Sequence, residues 1–127
     1  MKNLLIILSL LFCSSVSAEW VNYANSKDGY NKWFYETEVR KRGGNVFVWY
    51  GYKLISVIPN EPGKSWKSYS KINCDEYSIK SLQEIMYMDG NWTVPYPDKN
   101  QTTGEQPKEY IQPTTGAGIL ADRVCKK

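Results

Sequence analysis

The sequence predicts an α+β domain in which a small antiparallel β-sheet is followed by a short C-terminal helix and closed by one disulfide. From residue 33 to residue 88, Val, Ile, Tyr, Phe and Trp recur with a period of two, and Gly or Pro separates the runs. Residues 117–124 instead carry apolar side chains at helical spacing. Cys74 and Cys125 supply one possible pair of half-cystines.

Residues 1–18 have the pattern of a signal peptide. A charged start is followed by a mostly apolar run over residues 4–12 and then by small residues, with Val16 and Ala18 at positions −3 and −1 of a cleavage site. A membrane-spanning helix needs about 20 apolar residues, and this run is less than half that length. We therefore expect cleavage after Ala18, a mature domain over residues 19–127 and no membrane segment in it.

Cys13 raises the alternative of a lipoprotein, which is cut before a cysteine that follows a small residue. The residue before it is the bulky Phe12. We therefore expect a periplasmic or secreted protein rather than one that is lipid-anchored at the outer membrane.

The composition predicts one domain of mild positive charge. The chain has 127 residues and a formal charge of +3, which falls to +2 when Lys2 leaves with the signal peptide. A nucleic-acid partner is not expected, because nucleic-acid binders carry a concentrated basic face. The densest basic cluster, at Arg40, Lys41 and Arg42, precedes two glycines, which is typical of a solvated turn; an anionic partner is the alternative.

The two cysteines of the mature chain predict a disulfide in an oxidising compartment. The sequence contains no histidine, so a four-ligand zinc site is not expected. Closing the long loop between Cys74 and Cys125 would stabilise the domain by about 4 kcal/mol in the chain-entropy treatment.

The first strand is predicted over residues 32–37. Residues 38–44 form a polar, basic turn region, in which two adjacent glycines permit the left-handed backbone of a hairpin connection. A long strand follows over residues 45–54, and both of its faces are apolar. We therefore expect it to be central and covered twice, by the helix on one side and by a loop or a second subunit on the other.

After a loop over residues 55–66, alternation resumes at Lys67. Ser68, Ser70, Ile72 and Cys74 share the face predicted to point inward, and Lys67, Tyr69, Lys71 and Asn73 share the outward face. Asp75 and Glu76 form a reversal, and the next strand, over residues 77–88, changes parity at a predicted bulge near Ser81.

The segment over residues 89–113 holds four prolines, and we expect it to lack regular structure and to be mobile; a functional role is the alternative. Residues 113–115 then offer a helix cap, and the helix over residues 117–124 presents one apolar stripe. Cys125 would attach this helix to the strand that carries Cys74.

No catalytic constellation is visible in the sequence. It has no histidine for acid–base catalysis, no phosphate-binding loop and no dinucleotide fingerprint. Glu36 and Glu38 could form a carboxylate pair, although alternate residues at a strand edge usually face solvent. We therefore expect no enzymatic activity and no cofactor.

Several segments follow one another in a distinctive order: Trp20 with Val21, FYETEV at 34–39, RKRGGN at 40–45, VFVWYGY at 46–52, SKINCDEYSIKSL at 70–82 and PTTGAGILADRVC at 113–125. Together these segments resemble the surface-adhesin protein E family of Gram-negative bacteria. The resemblance implies a small disulfide-linked antiparallel sheet with a C-terminal helix and a tendency to pair sheets into a homodimer. The family's named member is an outer-membrane lipoprotein that binds host matrix and serum proteins.

The resulting hypothesis is an exported, non-enzymatic binding module of the bacterial envelope, such as an adhesin, whose partner is a host matrix protein or an envelope protein. The candidate binding residues are Lys67, Tyr69 and Lys71 first, and Arg40, Lys41 and Arg42 second. The alternatives are a periplasmic protein of the lysozyme-inhibitor type and a structural component of the envelope.

Overall fold

The computed structural model describes residues 19–27, 29–54, 65–97, 102–104 and 106–126. The predicted signal peptide and most of the predicted loop over residues 55–66 lie outside these residues. The elements are β1 (Trp20–Asn25), β2 (Asn31–Glu36), β3 (Arg40–Arg42), β4 (Asn45–Leu54), β5 (Ser65–Asn73), β6 (Ser78–Tyr87), β7 (Thr102–Thr103), β8 (Glu109–Tyr110) and the helix α1 (Gly116–Val124).

All eight strands belong to one antiparallel sheet with the order β1-β2-β4-β5-β6-β7. Strands β2 and β3 pair with the same side of β4: β3 pairs with its start and β2 with its end. Strand β8 pairs with the start of β6. The long strands β4 and β5 therefore lie at the centre of the sheet, as the doubly apolar pattern of residues 45–54 predicts.

Strand β4 has the bounds that were predicted for it, and its two faces differ in burial. Val46, Val48 and Tyr50 are buried, whereas the alternate residues Phe47 and Trp49 are half-buried. The register places Val46 opposite Ile72 on β5, which is completely buried. Because side chains alternate along a strand, this pairing decides which of the two sheet faces each side chain of β4 and β5 lies on.

Helix α1 covers the buried face. It begins after Thr115, whose hydroxyl accepts the Gly118 backbone N–H at 3.1 Å, so the predicted cap is confirmed. Its buried residues Leu120, Ala121 and Val124 complete the hydrophobic core that β4 and β5 begin.

The predicted disulfide joins Cys74, just after β5, to Cys125, just after α1, with 5.7 Å between the two Cα atoms. A helix of nine residues is not stable alone, because nucleation is costly. Packing against the sheet and the disulfide together hold α1 in place.

The structure contains one strand that was not predicted and a second strand where a turn was predicted. Strand β1 was not predicted, because a sheet-edge strand directly after the predicted signal peptide has few neighbours in the sequence to reveal it. Arg40–Arg42 was expected within a turn and is instead strand β3, joined to β4 through Gly43 and Gly44; Gly43 has φ +57°, as its hairpin role requires. A short, charged strand is typical of a sheet edge.

The second half of the sheet follows the prediction with small shifts. Strand β5 begins at Ser65 rather than at Lys67, and the parity change in β6 is a bulge next to Ser81, as predicted. The proline-rich segment was expected to lack regular structure, and that expectation is wrong for Thr102–Thr103 and Glu109–Tyr110, which form β7 and β8. It contributes β7, β8 and the buried Ile111, because the open edge of β6 supplies backbone partners.

Substitution of Gly51 by alanine is predicted to destabilise the domain by about 3 kcal/mol, the upper end of the usual cost of overpacking, because the nearest atoms that the new Cβ would meet belong to the backbone. A Cβ at Gly51 would lie 2.1 Å from the Trp66 carbonyl oxygen and 2.6 Å from the Lys67 Cα. Gly44→Ala is the matched control, because the atom nearest its added Cβ is the end of the Asp75 side chain, at 2.9 Å. Urea unfolding measures both; equal stability of the two variants would contradict the close approach.

Candidate binding face

The sheet face opposite α1 is rich in aromatic and basic side chains, and we call it the outer face. In the register of β4 and β5, Trp49 lies opposite Tyr69 and Phe47 lies opposite Lys71. The outer face is defined by Trp20, Phe34, Phe47, Trp49, Lys67, Tyr69, Lys71 and Trp92.

Lys67 occupies the centre of a cluster of aromatic rings. Its Nζ lies 5.7 Å from the ring centroid of Trp20, 5.9 Å from that of Trp49 and 5.5 Å from those of both Tyr87 and Trp92. These distances are typical of cation–π attraction, which favours an ammonium group over aromatic faces. Lys67 therefore links rings from three strands and one loop.

Trp92 is the residue through which the loop after β6 covers part of the outer face. Its ring centroid lies 4.8 Å from that of Trp20 and 5.9 Å from that of Phe34. Its indole N–H donates to the backbone carbonyls of Tyr52, at 3.1 Å, and Trp66, at 3.2 Å. A φ of +61° is costly for a tryptophan and persists only where its surroundings impose it. The predicted loop cover is confirmed for this part of the face; cover by a second subunit stays a prediction.

Asp89 holds the loop that presents Trp92. Its carboxylate accepts backbone N–H bonds from Asn91, Thr93 and Val94 and a hydroxyl bond from Thr93. These bonds, with that from the Thr93 hydroxyl foremost, lower the pKa of Asp89 from 3.8 to about 2. The buried Ser65 hydroxyl donates to the Asp89 carbonyl oxygen at 2.7 Å and ties the loop to the start of β5.

The rest of the outer face is an open aromatic surface. The ring centroids of Trp49 and Tyr69 lie 5.3 Å apart, and those of Phe47 and Tyr69 lie 6.4 Å apart. At the end of β2, burial raises the pKa of Glu36, and the neighbouring carboxylate of Glu38 raises it further. The ammonium group of Lys67 opposes these two effects and lowers the pKa. The surface therefore combines large rings with charges of both signs.

The structure brings together five of the six candidate binding residues. Lys67, Tyr69 and Lys71 lie on the outer face, as predicted. The pairing of Arg40 with Phe47 and of Arg42 with Asn45 places both arginines on the same face. Lys41 pairs with Val46 and so belongs to the opposite face, where it borders a recess beside the disulfide.

Sequence reasoning missed several aromatic residues of this face. Trp49 and Phe47 could have been predicted. Their alternation on β4 places them on one face, and pairing with the next strand places them opposite Tyr69 and Lys71. Trp20 lies on the unpredicted β1, and Trp92 lies in a loop whose position no periodicity indicates. These two are brought to the face by contacts between residues that are distant in the sequence.

The helix side of the sheet holds a separate cleft of about 380 Å³. Its floor carries the hydroxyls of Ser68, Ser70 and Ser81, with the Ser68 oxygen 2.8 Å from that of Ser70 and 2.7 Å from that of Ser81. Burial, and then the carboxylates of Glu84 and Glu109, raise the pKa of Tyr50 in its wall. The cleft has the size of a small-molecule site, and its hydroxyl groups satisfy one another.

The fold and the outer face define a class of small domain with a single antiparallel sheet and one disulfide. A helix packs on one face of the sheet, and the other face carries aromatic and basic side chains. This chain belongs to the surface-adhesin protein E family, whose sequence model matches residues 20–126. The match includes both half-cystines and every residue of the outer face, and it confirms the resemblance seen in the sequence. No curated protein and no solved structure matches the chain.

Among the described residues, no helix is long and apolar enough to cross a membrane. Within the same residues, no cluster of three or more His, Cys, Asp or Glu side chains could hold a metal ion.

Acidification below pH 4 is predicted to release the Trp92 loop. The pKa of Asp89 is lower in the folded protein than in the unfolded chain, so the ionised carboxylate stabilises the fold. This contribution is complete above the ordinary pKa of 3.8 and is lost as the pH falls to about 2. The Trp92 indole N–H signal in a ¹H–¹⁵N spectrum should move toward a solvent-exposed position over that range.

The Asp89→Ala variant should show the released position at neutral pH, with Asp75→Ala, at an exposed turn residue, as its control. An unchanged indole signal in Asp89→Ala would contradict the role of this carboxylate.

Proposed function

We propose that the protein is an exported, non-enzymatic adhesin-type module that binds a host matrix or serum protein through its outer face. The observation that carries the proposal is the surface of Phe47, Trp49 and Tyr69 bordered by Arg40 and Lys71. Membership of the surface-adhesin family suggests a protein partner and implies export.

The composition of the outer face suits a protein partner. Tyr, Trp and Arg are enriched in the centres of protein interfaces, where large, rigid side chains bury much area at a low cost in conformational entropy. The Lys67 cluster and the Trp92 loop hold several of these rings in place before any partner arrives, which reduces the cost of ordering on binding. The cleft on the helix side suits a small molecule instead.

The double variant Lys67→Ala/Lys71→Ala and the single variant Trp49→Ala are predicted to bind vitronectin or laminin at least about tenfold more weakly than the parent, the scale of an interface hot spot. Lys41→Ala/Lys126→Ala is the matched control, because it removes the same charge from the opposite side of the sheet. Surface plasmon resonance with each immobilised protein measures the change.

Equal binding by all the variants would contradict the assignment of the outer face. Absence of binding by the parent, together with inhibition of lysozyme at micromolar protein, would support the inhibitor alternative instead.

Export of a soluble mature chain is the part of the proposal that concerns localisation. The protein recovered from the periplasm or the medium should begin at Glu19 and contain no free thiol, because cleavage removes Cys13 and the other two cysteines are joined. Cell fractionation with intact-mass analysis checks both points. Recovery of a lipid-modified chain that begins at Cys13 would contradict the cleavage site.

A further inference from the structure

The cleft on the helix side of the sheet exists because small side chains stand where the hydrophobic core would otherwise continue. In the register, Ser68 lies opposite Tyr50 on one side and Glu84 on the other, and Ser70 lies opposite Ser81. Both Ser68 and Ser70 are buried. Serine side chains cannot fill this face as the neighbouring aliphatic residues do, so a cleft of about 380 Å³ remains above them. That volume is in the range of small-molecule sites.

Two carboxylates face this cleft from different strands. Glu84 lies on β6, and Glu109 on β8 pairs with Ile79, nearer the start of β6. At about 3.3 Å per residue, their Cα atoms are roughly 15 Å apart, so a flexible ligand in the cleft can reach both. After burial, these carboxylates are the groups that raise the pKa of Tyr50, so both charges act on the same space. Among the described residues, neither carboxylate is in an ion pair, and no lysine or arginine lines the cleft.

Tyr50 and Trp66 form an aromatic corner in the wall of the cleft. Their ring centroids lie 5.3 Å apart, and their planes are at 87° to each other. The faces of aromatic rings carry negative potential, so they attract ammonium groups, and they also give methylene groups an apolar contact. Ile79 and Pro107 extend the apolar part of the lining. The cleft therefore suits a ligand that combines an aliphatic chain with positive charge.

The polar groups of the cleft mainly accept hydrogen bonds. The hydroxyls of Ser68, Ser70 and Ser81 are joined by two hydrogen bonds, and each oxygen has two lone pairs. Ser81 is only half-buried, so its oxygen can also accept from a ligand. The Gln106 amide nitrogen donates to the Gly104 carbonyl oxygen at 3.4 Å. Because an ionised carboxylate only accepts and an ammonium group only donates, an amine matches this lining better than an anion does.

We propose that this cleft binds a short aliphatic polyamine, whose ammonium groups pair with Glu84 and Glu109. Its methylene chain lies against the aromatic corner of Tyr50 and Trp66, and the Ser81 hydroxyl accepts one of its N–H groups. Two ammonium groups neutralise both carboxylates, whereas a monoamine leaves one charge unpaired and a neutral sugar leaves two. The site lies on the opposite face of the sheet from the surface proposed for protein binding, and neither proposal depends on the other.

The test is calorimetric titration of the mature, disulfide-bonded protein with spermidine. We expect binding that weakens with added salt, because both carboxylates are accessible to solvent ions. Diacetylated spermidine, whose two terminal amines are neutral amides, should bind at least about tenfold more weakly, since it cannot form either ion pair. Equal binding of the diacetylated compound, or no binding of spermidine at millimolar concentration, would overturn the proposal.

The indole ¹H–¹⁵N signals of the protein show where spermidine binds. The signal of Trp66, in the wall of the cleft, should shift on titration, whereas that of Trp49, on the outer face, should stay in place. No protein partner is present in this experiment, so a failure of the proposed adhesin function would leave its result unchanged. A shift of the Trp49 signal without one of the Trp66 signal would overturn the site.

Glu84→Gln/Glu109→Gln should bind spermidine at least about tenfold more weakly, because both ion pairs are lost. Glu38→Gln/Asp75→Asn is the matched control, since it makes the same change of charge at two exposed residues outside the cleft. An equal loss in the control would reduce the effect to net charge and overturn the site.

A third variant and a stability measurement separate binding from folding. Glu84 is half-buried and Glu109 is exposed, so replacement by an amide of the same shape should leave the thermal midpoint nearly unchanged. Trp49→Ala should keep spermidine binding, because its side chain lies on the outer face. Undiminished spermidine binding by a folded Glu84→Gln/Glu109→Gln variant would overturn the proposal.

Discussion

The pairing of β4 with β5 decides which side chains share a face of the sheet, and the rest of the structure depends on it. A slip of one residue would expose Val46 and Val48 and bury Trp49, because side chains alternate along each strand. Two devices oppose such a slip. Gly51 lets the two backbones approach beyond what a Cβ permits, and the Trp92 indole donates to a carbonyl of each strand.

The two faces of this central pair are completed in different ways. On the helix side, buried side chains of α1 pack against the sheet and complete the hydrophobic core. The Cys74–Cys125 disulfide connects the end of the helix to the end of β5. Within the described part of the chain, the outer side is covered at one end, where Trp20, Lys67 and Trp92 pack together. The remainder, around Trp49 and Tyr69, is the surface that we propose for partner binding, because contact there would leave the core undisturbed.

Periodicity predicted the bounds of β4, the inward and outward sets of β5 and the helix, because each depends on neighbours in the sequence. The number of cysteines and their chemistry predicted the disulfide. The position of Trp92 could not be predicted, since a hydrogen bond to two strands follows no local pattern. Strand β3 was hidden for a related reason: Arg40–Arg42 is a strand only because β4 offers an open edge beside it.

The five tryptophans are divided between the two faces of the sheet, so their signals can show directly which face binds a partner. Trp20, Trp49 and Trp92 lie on the outer face, whereas Trp33 and Trp66 contact Tyr50 on the helix side. The indole ¹H–¹⁵N signals should be recorded while a soluble laminin or vitronectin fragment is added. If the outer face binds the partner, the signal of Trp49 shifts most, and those of Trp33 and Trp66 stay in place. Shifts confined to Trp33 and Trp66 would contradict the account.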